Sequence, residues 1–366
     1  MNGSSWGGSE ELWYQAALET ARRGIETAVC CFNWTGKEPR MNKLKEAGCK
    51  LFMLPGKEIT KGQLLIGKIK LNKAVAAVPF EEYDKVIVSQ GGWKDVVHGP
   101  FKTLFTRLNS YVLVYHNYNT NQNFFRKKKL SLLQQWAEKA TTNMGATLKI
   151  FQTLQEEYKL SIPRQETLFN PLTIATPETI TPFPPVDKKN YIFSVLAALD
   201  IERKAQDVLI TSLSHQVWKD REWELHLYGE GKDKSFLQKL TNRLQLQNKV
   251  FIHGNAPNYK AAISESHLVL QITNIDAMPI SVIEAMAMAR PLVTSSVGDM
   301  PLWVKENING WVTKSVTVEV INETLELAWA QRNNWSDMGK QSFAIFRQNF
   351  PDNPIEYFLK QTGIIS

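Results

Sequence analysis

Residues 268–312 read LVLQITNIDAMPISVIEAMAMARPLVTSSVGDMPLWVKENINGWV, and this stretch decides the fold. An apolar strand over 268–272 enters a polar loop, Pro279 opens a helix over 280–287, and a second apolar strand follows over 291–295. Proline suits the start of a helix because its missing N–H leaves no hydrogen bond unmade there. The backbone N–H groups of Ile280, Ser281 and Val282 then have no acceptor inside the helix and form a seat for a phosphate. Asp276 lies in the loop and Glu284 one turn inside the helix, eight residues on. Carboxylates at these places suit a sugar nucleotide, since each oxygen accepts hydrogen bonds from hydroxyls: Glu284 from a ribose diol, Asp276 from a hexose.

Working outward, apolar segments of strand length alternate with helical patterns, the signature of parallel sheets covered by helices. In the first half the strands are expected over 27–32, 50–54, 85–89 and 111–116, with helices over 10–23 and 130–139. In the second half strands are expected over 191–196, 223–228, 249–253, 268–272 and 291–295, with helices near 203–217, 234–244 and 280–287. Between the halves, Pro177, Pro182, Pro184 and Pro185, with Pro171 just before, mark a linker. The expectation is an α/β chain: a Rossmann-like domain over 1–173, a linker over 174–190 and a second Rossmann-like domain over 191–335. Helices over 336–366 are expected to cross back to the first domain. Doubly wound sheets bind ligands at the carboxyl ends of their strands, here across a central cleft.

At 366 residues and 43% hydrophobic content the chain has ample material for two cores. No apolar run is long enough to span a bilayer, and Met1-Asn2-Gly3-Ser4-Ser5 has none of the features of a signal peptide. Cys30, Cys31 and Cys49 have neither metal-ligand nor disulfide spacing and read as core residues in a reducing compartment. A cytoplasmic protein is expected. The net charge of +7 is uneven: residues 1–173 hold 24 basic against 15 acidic side chains, and residues 174–366 hold 19 against 21. A basic first half suits nucleic acid, an anionic membrane face or an anionic acceptor, and a plain solvated lysine-rich surface outweighs any one of these. Phe124-Phe125-Arg126-Lys127-Lys128-Lys129 is its densest patch, and it leaves open weak peripheral association with the inner membrane face or a plain solvated helix start.

Asp276-Ala277-Met278-Pro279 with Glu284-Ala285-Met286-Ala287 resembles the E-x7-E region of glycosyltransferase family 4. The resemblance extends along nearly the whole chain in order. Gly7-Gly8-Ser9-Glu10 is similar to the family's glycine loop, His116 to its cleft histidine, and Asn170-Pro171 to the close of its first domain. Lys204, after Leu199-Asp200, matches the phosphate-binding lysine, Gly229-Glu230-Gly231 the next glycine turn, and residues 250–254 the segment beside the base. What the resemblance implies is a GT-B fold and transfer from a nucleoside-diphosphate sugar with retention at the anomeric carbon. No metal or other cofactor and no nucleic-acid partner is implied. His116 and Asp276 would serve at the transferred sugar; Gly7, Gly8, Lys204, Gly229, Ile280, Ser281, Val282 and Glu284 would bind the donor. The acceptor stays open among glycans, lipid-linked and small molecules.

The chain departs from the pattern at several positions. Ala198 stands where the family has its phosphate-binding arginine, Asp276 where it has glutamate, Ala277 and Ala289 where it has glycines, Asp299 where it has the second glycine of a turn, and Leu302 where it has a glutamate. Losing the arginine removes charge-assisted hydrogen bonds of about 1.5–3 kcal/mol where leaving-group charge develops. Arg203 is a possible substitute, and a catalytically impaired sugar-nucleotide-binding protein or scaffold is the rival reading. A last expectation concerns the start. A strand normally precedes the glycine loop and lies centrally in the sheet, whereas Gly7 follows only Met1-Asn2-Gly3-Ser4-Ser5-Trp6. The natural chain is therefore expected to carry an apolar β segment upstream.

Overall fold

The computed structural model describes residues 6–33, 38–56, 64–92, 95–117, 127–185, 190–256 and 258–366. Phe124, Phe125 and Arg126 of the basic patch, like residues 1–5 and 186–189 of the segments discussed above, lie outside them. The chain forms two compact units, Met1–Pro171 with Asn353–Ser366, and Leu172–Asp352. Among the described residues no helix is long and apolar enough to cross a membrane.

In the first unit the elements are α1 (Gly8–Arg22), β1 (Ala28–Phe32), α2 (Glu38–Glu46), β2 (Lys50–Leu54), α3 (Leu64–Ala76), β3 (Val86–Gly92), β4 (Tyr111–Asn117), α4 (Lys127–Lys139), β5 (Thr142–Gly145), α5 (Lys149–Tyr158) and β6 (Gln165–Thr167). The strands make two parallel ladders, β1-β2 and β3-β4-β5-β6. Among the described residues no strand pairing joins the two ladders. Side chains of both ladders nevertheless share one core, Cys30 and Phe32 packing into the cluster that holds Tyr111, Trp136 and Phe151. The first five residues of β4, YVLVY, are all buried, as expected of an inner strand of a parallel sheet.

The second unit runs β7 (Tyr191–Leu196), α6 (Ile201–Lys204), α7 (Gln206–Ser212), α8 (Gln216–Lys219), β8 (Trp223–Tyr228), α9 (Lys234–Arg243), β9 (Val250–Gly254), α10 (Tyr259–Ser264), β10 (Leu268–Gln271), α11 (Ile280–Ala287), β11 (Leu292–Ser295), α12 (Met300–Trp303), β12 (Gly310–Thr313), α13 (Val318–Ala330) and α14 (Trp335–Asn349). The last helix, α15 (Pro354–Gln361), belongs to the first unit, where Tyr357 meets Phe169 edge-on and Lys85 Nζ donates to the Thr362 carbonyl at 2.8 Å. All six strands of the second sheet are parallel, in the order β12-β11-β10-β7-β8-β9. The chain runs outward one way from β7 and the other way from β10, so the topological switch point lies between these two neighbours. The Phe193 ring stacks on Trp223 at 6.0 Å, and Trp218 and Trp335 meet Phe193 edge-on, an aromatic core under the middle of the sheet.

The helix expected over 203–217 is three short pieces, α6, α7 and α8. Ala205 takes a left-handed conformation at φ 44°, which ends α6, and non-helical His215 precedes α8. The break leaves Lys204 at the last position of a one-turn helix beside the end of β7.

Candidate functional site

Both loops that leave the switch point carry residues singled out in the sequence. After β7, Asp200 precedes α6, and the Lys204 side chain turns inward to 8% exposure. After β10, residues 273–276 fold back onto α6: Asn274 N–H and Thr273 Oγ1–H donate to the Arg203 carbonyl at 2.8 and 2.6 Å, and Asn274 Nδ2 donates to the Glu202 carbonyl at 3.1 Å. This lacing brings the Asp276 carboxylate onto the Lys204 ammonium in a direct ion pair. Ser295 at the end of β11 fixes the start of the same loop, accepting from Thr273 N–H at 2.9 Å and donating to its carbonyl at 2.8 Å. Gly298 completes the support. At φ 58° it lies so close that a Cβ there would sit 1.8 Å from the Ala277 carbonyl oxygen, so only glycine lets this turn pack on the site loop.

α11 follows at once. Its sequence ISVIEAMA is buried throughout from Ser281 to Ala287, which makes the ionisable Glu284 the anomaly of the helix. Pro279 caps the helix without a side-chain hydrogen bond, and no acidic residue stands in the first turn. Val282 N–H turns back to the Pro279 carbonyl at 3.1 Å. Of the three donors expected here, that one is consumed by the tight opening turn, so Ile280 and Ser281 supply the N–H groups that remain for an anion. The Ser281 hydroxyl donates to Gln271 Oε1 at 3.2 Å, linking the helix start to β10.

Glu284 is 3% exposed, and burial raises its carboxyl above the ordinary range. It is not alone. Thr173 donates to Glu284 Oε1 with its backbone N–H at 2.6 Å and its hydroxyl at 2.5 Å. One oxygen of the carboxylate expected to clasp a diol is thus already occupied from within the protein. Sequence spacing gives no hint of this contact, since its partners are 111 positions apart.

Gly229 follows β8 with its N–H on the Gly254 carbonyl at 2.7 Å, and a Cβ would stand 2.0 Å from the Ala197 carbonyl oxygen. The glycine lets the loop after β8 nest on the loop after β7. Arg203, half exposed, faces Asp200 at 4.0 Å. Ala198 donates no side-chain group, and its carbonyl accepts from Gln206 Nε2 at 2.8 Å.

The remaining predicted residues lie in the first unit. Gly7 caps α1 in extended geometry, and its N–H donates to Glu10 Oε2 at 3.2 Å, to which the Ser9 hydroxyl also donates at 2.8 Å. Glu10 is buried. The helix start beside Gly7-Gly8 therefore carries its own carboxylate, a capping-box arrangement with glycine at the cap that Gly7-x-x-Glu10 could have signalled. His116, at the end of β4, meets the Ser89 hydroxyl with Nε2 at 3.0 Å, and its Nδ1 is buried. Burial lowers its pKa to about 4, so the ring is neutral at physiological pH.

Residues 177–344 match the family model described as glycosyl transferases group 1. Among curated proteins, 219 residues are 25% identical to a poly(glycerol-phosphate) alpha-glucosyltransferase of Bacillus subtilis, covering 58% of this chain and 32% of that protein. A further match is 26% identical over 129 residues to a poly(ribitol-phosphate) alpha-N-acetylglucosaminyltransferase of Staphylococcus aureus, covering 35% of this chain and 26% of the relative. The matched stretch spans about a third or less of these relatives' length. Among solved structures, HepE of Anabaena in complex with UDP superposes with a TM-score of 0.75 at 17% identity, over 99% of this chain and 98% of HepE. Sucrose-phosphate synthase of Thermosynechococcus elongatus gives 0.66 at 13% identity, over 92% and 98%. The fold is GT-B, built of two Rossmann-like units.

Proposed function

We propose that this chain is a glycosyltransferase that moves a hexose from a nucleoside-diphosphate sugar to an acceptor, with retention of anomeric configuration and without a metal. The observation that carries the reading is the Lys204–Asp276 pair between the loops that leave β7 and β10, with the uncapped start of α11 and its Glu284 following in the same chain segment, at the switch point where such sheets hold nucleotides. The group 1 match spans all of these residues. In this reading Glu284 takes the ribose, Ile280 and Ser281 N–H with Lys204 take the diphosphate, and Asp276 takes the sugar hydroxyls. The ammonium has three donors, so Lys204 can keep Asp276 and still offer hydrogen bonds to the leaving phosphate as its charge grows. That phosphate accepts the acceptor's proton, and no protein base is needed. Gly7 and Gly8 of the first unit add to the donor site, neutral His116 serves at the transferred sugar, and the acceptor comes from the side of this unit.

The acceptor is read as anionic. The similar Bacillus and Staphylococcus proteins are named for polyol-phosphate polymers, and residues 1–173 carry a net +9. Salt-sensitive sedimentation with anionic vesicles, matched by no binding of a soluble polyol phosphate, would instead assign the charge to a membrane face. The second reading, a sugar-nucleotide binder with impaired catalysis, is favoured by Ala198: it leaves Lys204, already paired with Asp276, as the nearest cation to the phosphate seat that the sequence points to. Calorimetry with UDP, GDP and ADP sugars followed by product analysis separates the cases. Binding with product supports transfer, binding without product supports the impaired form, and no binding at all removes both.

A further inference from the structure

We propose that Thr173 is a positioning residue for the nucleotide site, holding the Glu284 carboxylate through its hydroxyl and backbone N–H so that the second oxygen is presented to the ribose. The inference rests on the donor-binding reading of Glu284 given above. Its basis is geometric. A carboxylate on an otherwise apolar helix, 3% exposed, can be held in one orientation only if something nearby bonds to it. The described partners come from one place, the stretch just before the second sheet: Thr173 N–H at 2.6 Å and Thr173 Oγ1–H at 2.5 Å, both on Oε1, with the Ile174 N–H facing the same group. Two donors on one oxygen fix the carboxylate plane and leave Oε2 as the acceptor for a hydroxyl.

The arrangement sets a sign for pH dependence. Burial pushes the Glu284 carboxyl up, and the Thr173 bonds pull it down. Tyr259 on α10 is the other titratable group that feels this charge, and burial first, then Glu284, raise its own pKa, so it stays neutral when the carboxylate ionises. A protonated Glu284 is a poorer acceptor, so nucleotide affinity falls as pH drops through its folded value. Removing the Thr173 hydroxyl moves that value further up, and the fall begins at higher pH.

Thr173 is itself exposed, so changing its hydroxyl opens no core cavity. The test compares wild type, Thr173→Val and Thr173→Ser. UDP affinity is measured by calorimetry near pH 8 and near pH 5.5, and the Glu284 carboxyl is titrated by NMR with Glu284→Gln as the assignment control. Expected is about tenfold weaker UDP binding by Thr173→Val, with a larger deficit at the acid end, an upward-shifted Glu284 titration, and recovery of both by Thr173→Ser. Identical Glu284 titrations in wild type and Thr173→Val overturn the inference whether or not UDP binds. A wild type that binds no UDP, GDP or ADP while the titration shifts as expected leaves Thr173 holding the carboxylate and overturns the donor reading instead.

Discussion

α1 and α11 both begin at a residue suited to a helix start, and both sit where a nucleotide-binding Rossmann-like unit could receive an anion, yet they differ in what fills the first turn. At α1, Glu10 reaches back to Gly7 N–H, and the helix supplies its own negative charge. At α11, Pro279 leads into Ile280 and Ser281 with no acidic residue and no side-chain cap. A helix N-terminus carries roughly half a positive charge and orphan donors, and only one of these two is left unanswered by the protein. The difference teaches that the glycine loop and the proline-led helix are not equivalent seats.

The largest expected effect tests whether the open end reads a nucleotide. Glu284→Ala should weaken binding of the cognate nucleotide by about 1.5–3 kcal/mol, the range for hydrogen bonds to a charged group, measured by calorimetry at neutral pH. Unchanged affinity for every nucleotide would sink the assignment of α11 as the donor helix. Next, the open end can be closed artificially. Ile280→Asp places a carboxylate in the first turn and should stabilise the helix by about 0.3–1 kcal/mol while weakening nucleotide binding at least tenfold, or about 1.4 kcal/mol. Opposite signs in thermal unfolding and calorimetry are the required result; a parallel change in both means that the site does not use this helix start. Closing's counterpart is opening. Glu10→Ala removes the back-bond at α1 and should cost the protein about 1 kcal/mol of stability, read by urea unfolding, with donor affinity little changed. A large drop in donor affinity would show that the α1 start, with Gly7-Gly8, takes part in the donor site.

Much of this was legible in the chain itself. Strands β7 and β8 and helix α11 lie over the residues expected of them, because apolar runs such as YIFSVL and LVLQ have no other stable home than a buried parallel sheet. Lys204 and Asp276 were each expected at the phosphate and sugar. Their contact was not, since it depends on how residues 273–276 lace onto α6, and nothing local encodes that. Thr173 was invisible for the same reason: a side chain on an irregular segment meets a helix only once the tertiary fold exists. The break of the 203–217 helix at Ala205 was hidden because alanine is the best helix former, and its φ of 44° is imposed by the surroundings.

The smallest effects are expected at the opposite ends of the same two helices, where the comparison is reversed. α1 runs out through Gly24 at φ 75°, with open space where a Cβ would stand. α11 runs out through Ala289 at φ 56°, 3% exposed, its carbonyl so near Gly339 that a Cβ there would lie 2.2 Å away. A left-handed alanine costs about 1–2 kcal/mol relative to glycine, while glycine costs about 0.5–1 kcal/mol more conformational entropy on folding. For Gly24→Ala nothing else enters, and a net loss of about 0.5–1 kcal/mol should follow. For Ala289→Gly the relieved strain is offset by that entropy and by the lost burial of one methyl, about 0.8 kcal/mol. The two sides nearly cancel, so Ala289→Gly should change stability by no more than about 0.5 kcal/mol and leave nucleotide affinity as it is. Paired urea unfolding of the two variants decides it. A gain well above 1 kcal/mol for Ala289→Gly would mean that the alanine is a strained replacement at the foot of the donor helix, whereas near-neutrality means that the site tolerates alanine there without cost to the helix that presents Ile280, Ser281 and Glu284.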